Sequence, residues 1–162
     1  MDSQQLITLL DELGIASATV AHPPLRTVED SRRLRGNLVG GHVKNLFLRD
    51  KKGGYWLLAA LEHVMIDLRT AAALLGAPRF SLAKAEELAQ ILGIIPGAVS
   101  PFAVVNDAAG RVRVVIDRSV LDLPLLNFHP LCNDRTTTIA SADLLKFLEA
   151  VAHPPRIIHL TD

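Results

Sequence analysis

One segment constrains the fold more than any other: Lys44-Asn45-Leu46-Phe47-Leu48-Arg49-Asp50, then Lys51-Lys52-Gly53-Gly54, then Tyr55-Trp56-Leu57-Leu58-Ala59-Ala60-Leu61. Two runs rich in aliphatic and aromatic residues around a short glycine-bearing turn spell a β-hairpin. Neither arm alternates polar with apolar residues. Both are nearly continuous apolar runs, the pattern of strands covered on both faces. The chain must therefore place this hairpin centrally in a sheet and cover it on both sides. With 49% apolar residues among 162, it has the material to do so in one domain, 1–162, and disorder is excluded.

The remaining elements follow from local signals. Leu6, Leu9, Leu10 and Leu13 recur at helical spacing behind the capping candidates Asp2 and Ser3 and before Gly14, which predicts a helix over 3–13. A strand over 18–22 runs into Pro23-Pro24, after which Thr27-Val28-Glu29-Asp30 reads as the capping-box start of a second helix ending near Gly36. Residues 67–75 read as a helix closed by Gly76, and Ser81 as the cap of another, 82–92, closed by Gly93. Strands over 102–106 and 111–117, joined by Asp107-Ala108-Ala109-Gly110, read as a second hairpin. Further strands are expected over 125–129 and 135–140, then a helix capped by Ser141 to about Val151, then an edge strand over 156–160. Hairpins interleaved with helices predict an α/β (α+β) fold, a mixed, largely antiparallel central sheet flanked by helices.

Several functions are excluded early. No run approaches the roughly 18 apolar residues of a membrane span, and Met1-Asp2-Ser3-Gln4-Gln5 has no basic leader, so a soluble, cytoplasmic protein with no membrane partner is expected. Cys132 is the single cysteine and cannot form an internal disulfide. Dinucleotide, P-loop, serine-hydrolase and zincin motifs are missing. The six histidines show no i, i+2 or i, i+4 pair, and neither metal nor cofactor is expected. The 17 Lys+Arg balance 17 Asp+Glu, yet eight basic residues against three acidic ones fall between Arg26 and Lys52. That local excess of +5 suits either a small polyanion contact or a solvated face, and not a long DNA footprint.

Four places can carry chemistry. Lys44, at the mouth of a central strand after Gly40-Gly41-His42-Val43, either holds a phosphate or carboxylate as a point charge or is a strand-end surface lysine; Asn45 shares that ambiguity. The loop Gly93-Ile94-Ile95-Pro96-Gly97-Ala98-Val99-Ser100-Pro101 either presents backbone N–H groups to a carbonyl or an oxyanion, or is a tight helix-to-strand connection. His129, in Asn127-Phe128-His129-Pro130, either orients a substrate and moves a proton or is a satisfied structural group. Cys132 becomes a nucleophile only if a base approaches it through space.

Read together, residues 41–53, residues 92–102 and Asn127-Phe128-His129-Pro130-Leu131 resemble the YbaK/ProX family, the superfamily of the editing domain of bacterial prolyl-tRNA synthetases, and in particular its freestanding PrdX/ProXp-ala branch. The resemblance implies hydrolysis of the ester that joins a wrong amino acid to tRNA, chiefly alanine on tRNA(Pro), without a cofactor. It implies a functional Lys44 near the terminal adenosine and a carbonyl-binding loop made of Gly97, Ala98, Val99 and Ser100. His129 is expected beside them in a less defined role. Asn45, Pro96, Pro101 and Phe102 are expected to line the substrate site, and Arg26, Arg32, Arg33 and Arg35 to approach the acceptor stem. Prolyl-tRNA synthetase and elongation factor are candidate partners. A loop Pro96-Gly97-Ala98-Val99-Ser100-Pro101 in place of the Gly-Gly-Ile-Ser-Pro type favours alanine over cysteine. A deacylase for another mischarged tRNA such as cysteinyl-tRNA(Pro), a hydrolase of free aminoacyl esters, and a non-catalytic tRNA- or synthetase-binding module stand as alternatives.

Overall fold

The structure is a computed structural model and describes residues 1–24 and 38–160. The chain begins with α1 (Ser3–Glu12) and β1 (Ser17–Ala21), then forms the long hairpin β2 (Gly41–Asp50) and β3 (Tyr55–Leu61). Next come α2 (Leu68–Leu75), β4 (Phe80–Leu82), α3 (Ala85–Leu92) and a 3-10 helix, Pro101–Asn106. The last third holds β5 (Val112–Asp117), the short α4 (Arg118–Leu121), β6 (Leu125–Phe128), β7 (Arg135–Ala140), α5 (Ser141–Ala150) and β8 (Arg156–Ile158). The helix expected over 27–36 lies outside the described residues.

The strands form one sheet in the order β1-β7-β6-β2-β3-β5-β8, with β4 also on β2. Pairings β1–β7, β7–β6, β2–β3 and β2–β4 are antiparallel, whereas β6–β2, β3–β5 and β5–β8 are parallel. The sheet is therefore mixed, with the 44–61 hairpin at its centre as its composition requires. Alternation sends Phe47, Leu57 and Ala59 into one core with Leu6, Leu10, Phe102 and Phe147. Leu48, Trp56 and Leu58 enter a second core under α2, with Ala72, Leu75 and Phe80.

Local chemistry fixes the ends of elements. The Asp2 carboxylate accepts from Gln5 N–H at 2.9 Å, and Gln5 Oε1 accepts from Asp2 N–H at 2.9 Å, a closed capping box on α1. The hairpin turn is organised by Asp50, whose Oδ1 accepts from the N–H groups of Lys52 and Gly54 at 2.8 and 2.9 Å while Oδ2 accepts from Trp56 Nε1 at 3.0 Å. A Cβ on Gly54 would lie 2.5 Å from Asp50 Oδ2, so the turn closes only around a glycine there.

Four local expectations are corrected. Residues 102–106 are not a strand: Pro101 opens a 3-10 turn in which Ala103 N–H donates to Ser100 O, and Phe102, Ala103 and Val104 are all buried. No second hairpin forms, and β5 pairs in parallel with β3 instead. Ser81 is a residue of β4, not a cap; α3 starts at Ala85, where Glu87 Oε1 accepts from Lys84 N–H at 3.1 Å. Ser141 is the first residue of α5, with Ala140 in the capping position.

Candidate active site

β2 and β6 run parallel through Gly41↔Leu126 and His42↔Asn127 and then separate. Lys44 lies two residues past the last paired position on β2, and His129 directly follows the end of β6 at Phe128. Lys44 lies inside β2, which opens at Gly41, and not at its start. It is half-buried, and its Nζ donates to the carbonyl of Val64. That bond steadies the ammonium while two of its protons remain for other acceptors.

Asn45 points to the opposite face from Lys44, the side of Val43 and Phe47. Its Nδ2 reaches Val43 O at 3.5 Å, whereas its Oδ1 is buried with no hydrogen-bond partner. An unpaired buried amide oxygen costs about 1–3 kcal/mol. Such an atom is retained where something else supplies the donor.

The 93–101 loop is an anchored tip. Gly93 ends α3 in the left-handed conformation, and Ile94 and Ala98 are buried in the core. Ile95, Pro96 and Gly97 are exposed, with Gly97 at φ +91°. Within the loop the polar groups divide sharply. Ala98 N–H already donates to Ile95 O at 3.1 Å, and Ala98 has no exposed surface. Ser100 is fully buried and its Oγ donates to His129 O at 2.8 Å. Among the described residues the N–H groups of Ile94, Ile95, Gly97, Val99 and Ser100 have no backbone acceptor, so Gly97 and Val99, unlike Ala98, are amides the loop can offer.

Phe102 is no substrate contact. It has no exposed surface and packs edge-on against Phe128 and Phe147 at 5.7 and 5.3 Å, and Pro101 is buried beside it. Both act as the footing of the loop. The Ser100 hydroxyl, equally unavailable to a substrate, ties that loop to the end of β6.

His129 is half-buried, with Nδ1 3.0 Å from Arg135 O. A carbonyl only accepts, so the proton sits on Nδ1 and Nε2 keeps a free lone pair. Burial holds the imidazole below the ordinary histidine range; a charge on His22 acts in the same direction and the Arg135 carbonyl against it. The ring of His22 meets that of His129 edge-on at 6.2 Å. His22 is itself fixed, Nδ1 to Pro23 O at 2.8 Å and Nε2 to Thr136 Oγ1 at 2.9 Å. Asn127, which accepts from the Thr138 hydroxyl and donates to Val39 O at 2.8 Å, extends this polar strip. Sequence reasoning passed over His22, Asn127, Thr136 and Thr138, although the alternation of Thr136 and Thr138 on β7 was the available signal. Arg26, Arg32, Arg33 and Arg35 lie outside the described residues.

The Ser100–His129 bond brings the loop to a neutral imidazole at the end of β6, while the Lys44 ammonium and the buried Asn45 Oδ1 lie on opposite faces of β2. Residues 22–147 match the family model of the aminoacyl-tRNA editing domain. The chain is 36% identical over 162 residues to the prolyl-tRNA editing protein ProX of Acetoanaerobium sticklandii, covering 99% of each chain. It is also 36% identical to the prolyl-tRNA synthetase associated domain-containing protein 1 of Bos taurus, covering 93% of this chain and 90% of that one. A crystal structure described as a candidate trans-editing enzyme for prolyl tRNA synthetase shares the fold, with a TM-score of 0.75 at 22% identity over 100% of this chain and 98% of its own. The match over most of the chain, with Lys44, the loop and His129 inside it, establishes that this protein belongs to the aminoacyl-tRNA editing domain family, the YbaK/ProX family of deacylases.

Proposed function

We propose that the chain hydrolyses, in trans, the ester of alanine misattached to tRNA(Pro). The observation that carries this reading is the loop: free amides at Gly97 and Val99, held rigid by buried Ile94, Ala98 and Ser100 and joined to the His129 strand. Two preorganised N–H donors suit the carbonyl oxygen of an ester as it gains negative charge. Water attacks that carbon, the bond to the ribose 3′ oxygen breaks, and the 3′ oxygen takes up a proton as free alanine and tRNA leave. No side-chain nucleophile is required.

The other groups position the substrate. Lys44 balances the phosphate of the terminal adenosine. The neutral Nε2 of His129 accepts a hydrogen from the attacking water. The 2′-hydroxyl then helps to place that water, so a tRNA ending in 2′-deoxyadenosine is expected to resist cleavage. Selection against proline is steric. Excluding residues smaller than alanine is harder, because one methyl is worth only about 1–3 kcal/mol. On this reading the protein works in the cytoplasm, beside prolyl-tRNA synthetase or elongation factor.

The test compares alanyl-, prolyl- and cysteinyl-tRNA(Pro) as substrates for the unmodified protein and for Lys44→Ala. Loss of alanine alone, falling at least about 100-fold in the variant, is the expected result. Release of cysteine instead would keep the reaction and change the substrate. Inertness toward all three would leave a binding module.

A further inference from the structure

The turn that follows β3 is anchored on both sides of one residue. Val64 is only 3% exposed, its N–H donates to Leu61 O at 3.0 Å, and its carbonyl accepts from Lys44 Nζ. Ile66 packs against the core under α2. Between them Met65 is 89% exposed, the most open of the large apolar side chains among the described residues. Neither core contains it, and the site around Lys44 and His129 does not use it. A bare thioether is thus held one residue from the oxygen that positions the Lys44 ammonium.

Sulfur chemistry singles out the same residue. The chain has three sulfur atoms, in Met1, Met65 and Cys132. Thioether oxidation needs no ionisation and follows exposure, whereas a thiol reacts as the thiolate. Cys132 is half-buried, its Sγ lies 3.7 Å from Ser3 Oγ, and burial pushes its thiol up, away from the reactive form. Met1 is 49% exposed, and its ammonium donates to Oδ1 of Asn106 at 2.9 Å, at the end of the 3-10 helix and not at the Lys44 turn.

We propose that Met65 is a reversible oxidation site through which hydroperoxides weaken the hold of Lys44 on its substrate. The proposal rests on the editing reading for the role of Lys44. In the oxidation an electron pair of the thioether sulfur attacks one peroxide oxygen. The S–O bond forms as the O–O bond breaks, and the other oxygen leaves with both hydrogens of hydrogen peroxide as water. Sulfur loses two electrons and the peroxide gains them. A methionine sulfoxide reductase reverses the change with two thiols, which become a disulfide as the oxygen departs in water. The product carries a polar S=O, an acceptor only, in place of an apolar group. Lys44 keeps two protons beyond the one given to Val64, and the new oxygen on the adjoining residue competes with substrate phosphate for one of them.

Hydrogen peroxide is the probe, applied to the full chain and to Met65→Leu, with peptide mapping by mass spectrometry. Leucine keeps the apolar bulk and removes the sulfur. Met65 is expected to take up oxygen ahead of Met1 and Cys132. KM for alanyl-tRNA(Pro) should then rise roughly three- to tenfold with kcat unchanged, the worth of one competing hydrogen bond. A methionine sulfoxide reductase with dithiothreitol should restore KM, and Met65→Leu should hold its KM through the same peroxide treatment. The NMR signals of the Lys44 side chain should shift on oxidation of the parent protein and stay in place in the variant, a response that loss of folded protein does not give. An unchanged KM once Met65 is fully converted would overturn the proposal. So would an equal rise in Met65→Leu, or oxidation of Cys132 before Met65. Failure of the editing reading is seen separately, as no deacylation by the untreated protein. In that event the Lys44 signals still decide whether the sulfoxide reaches the ammonium.

Discussion

His129 shows how environment sets a residue's role. Its Nδ1 proton is spent on the Arg135 carbonyl, and burial lowers the pKa of the ring from the free histidine value near 6.5, so that it stays neutral to lower pH than a free histidine does. A lone pair on Nε2 thus remains available in weak acid. Deacylation is expected to hold steady as pH falls past the ordinary histidine value and to decline only below it. His22→Gln removes a like charge from beside the ring, so the acid limb of the pH–rate profile and the NMR titration of His129 should both move upward. A limb that stays in place would mean that His22 does not reach His129. Lys44, Asn45, the Gly97 tip and His129 were legible in the sequence because each stood in a recognisable local context. That the Ala98 amide, the Ser100 hydroxyl and the Phe102 ring are already occupied was not legible, since their partners come from other elements.

At the scale of elements the hairpin was the most readable feature, because apolar arms and a glycine turn determine it locally. Its stability is concentrated in one carboxylate. Burial by itself would raise the Asp50 pKa, and the Trp56, Gly54 and Lys52 donors outweigh burial and bring it below the usual carboxylate range. A depressed acid stabilises the fold above the unfolded carboxylate value, near 3.9, and loses that contribution as pH falls through its folded value. Asp50→Asn keeps one acceptor for the turn but turns an amide toward Trp56 Nε1. The expected cost is about 2 kcal/mol in chemical denaturation at pH 7, with the difference from the unmodified protein closing toward pH 3. The 101–106 segment was unreadable for a matching reason. Its run Phe102-Ala103-Val104-Val105 has the composition of a strand, and only the Pro101 start and the burial of three successive residues made it a 3-10 turn.

Across the whole molecule, a sheet covered on both sides followed from composition, but its parallel pairings did not. No local signal tells β5 to join β3, or β8 to join β5, and for the same reason the approach of Arg111 and Arg113 to the hairpin turn was invisible in the linear sequence. The sheet is closed by its most distant partners: Thr19 pairs with Thr137, and Gly41 with Leu126. That arrangement sets the order of events in time. The hairpin can form within about 1–10 μs, whereas the strands that shield it must wait for loop closures that slow folding toward milliseconds or longer. During the interval the arms stand with both apolar faces bare. Refolding from denaturant is therefore expected to lose yield as protein concentration rises, with light scattering growing in step, and a newly made chain would be a client for chaperones until its last strands arrive.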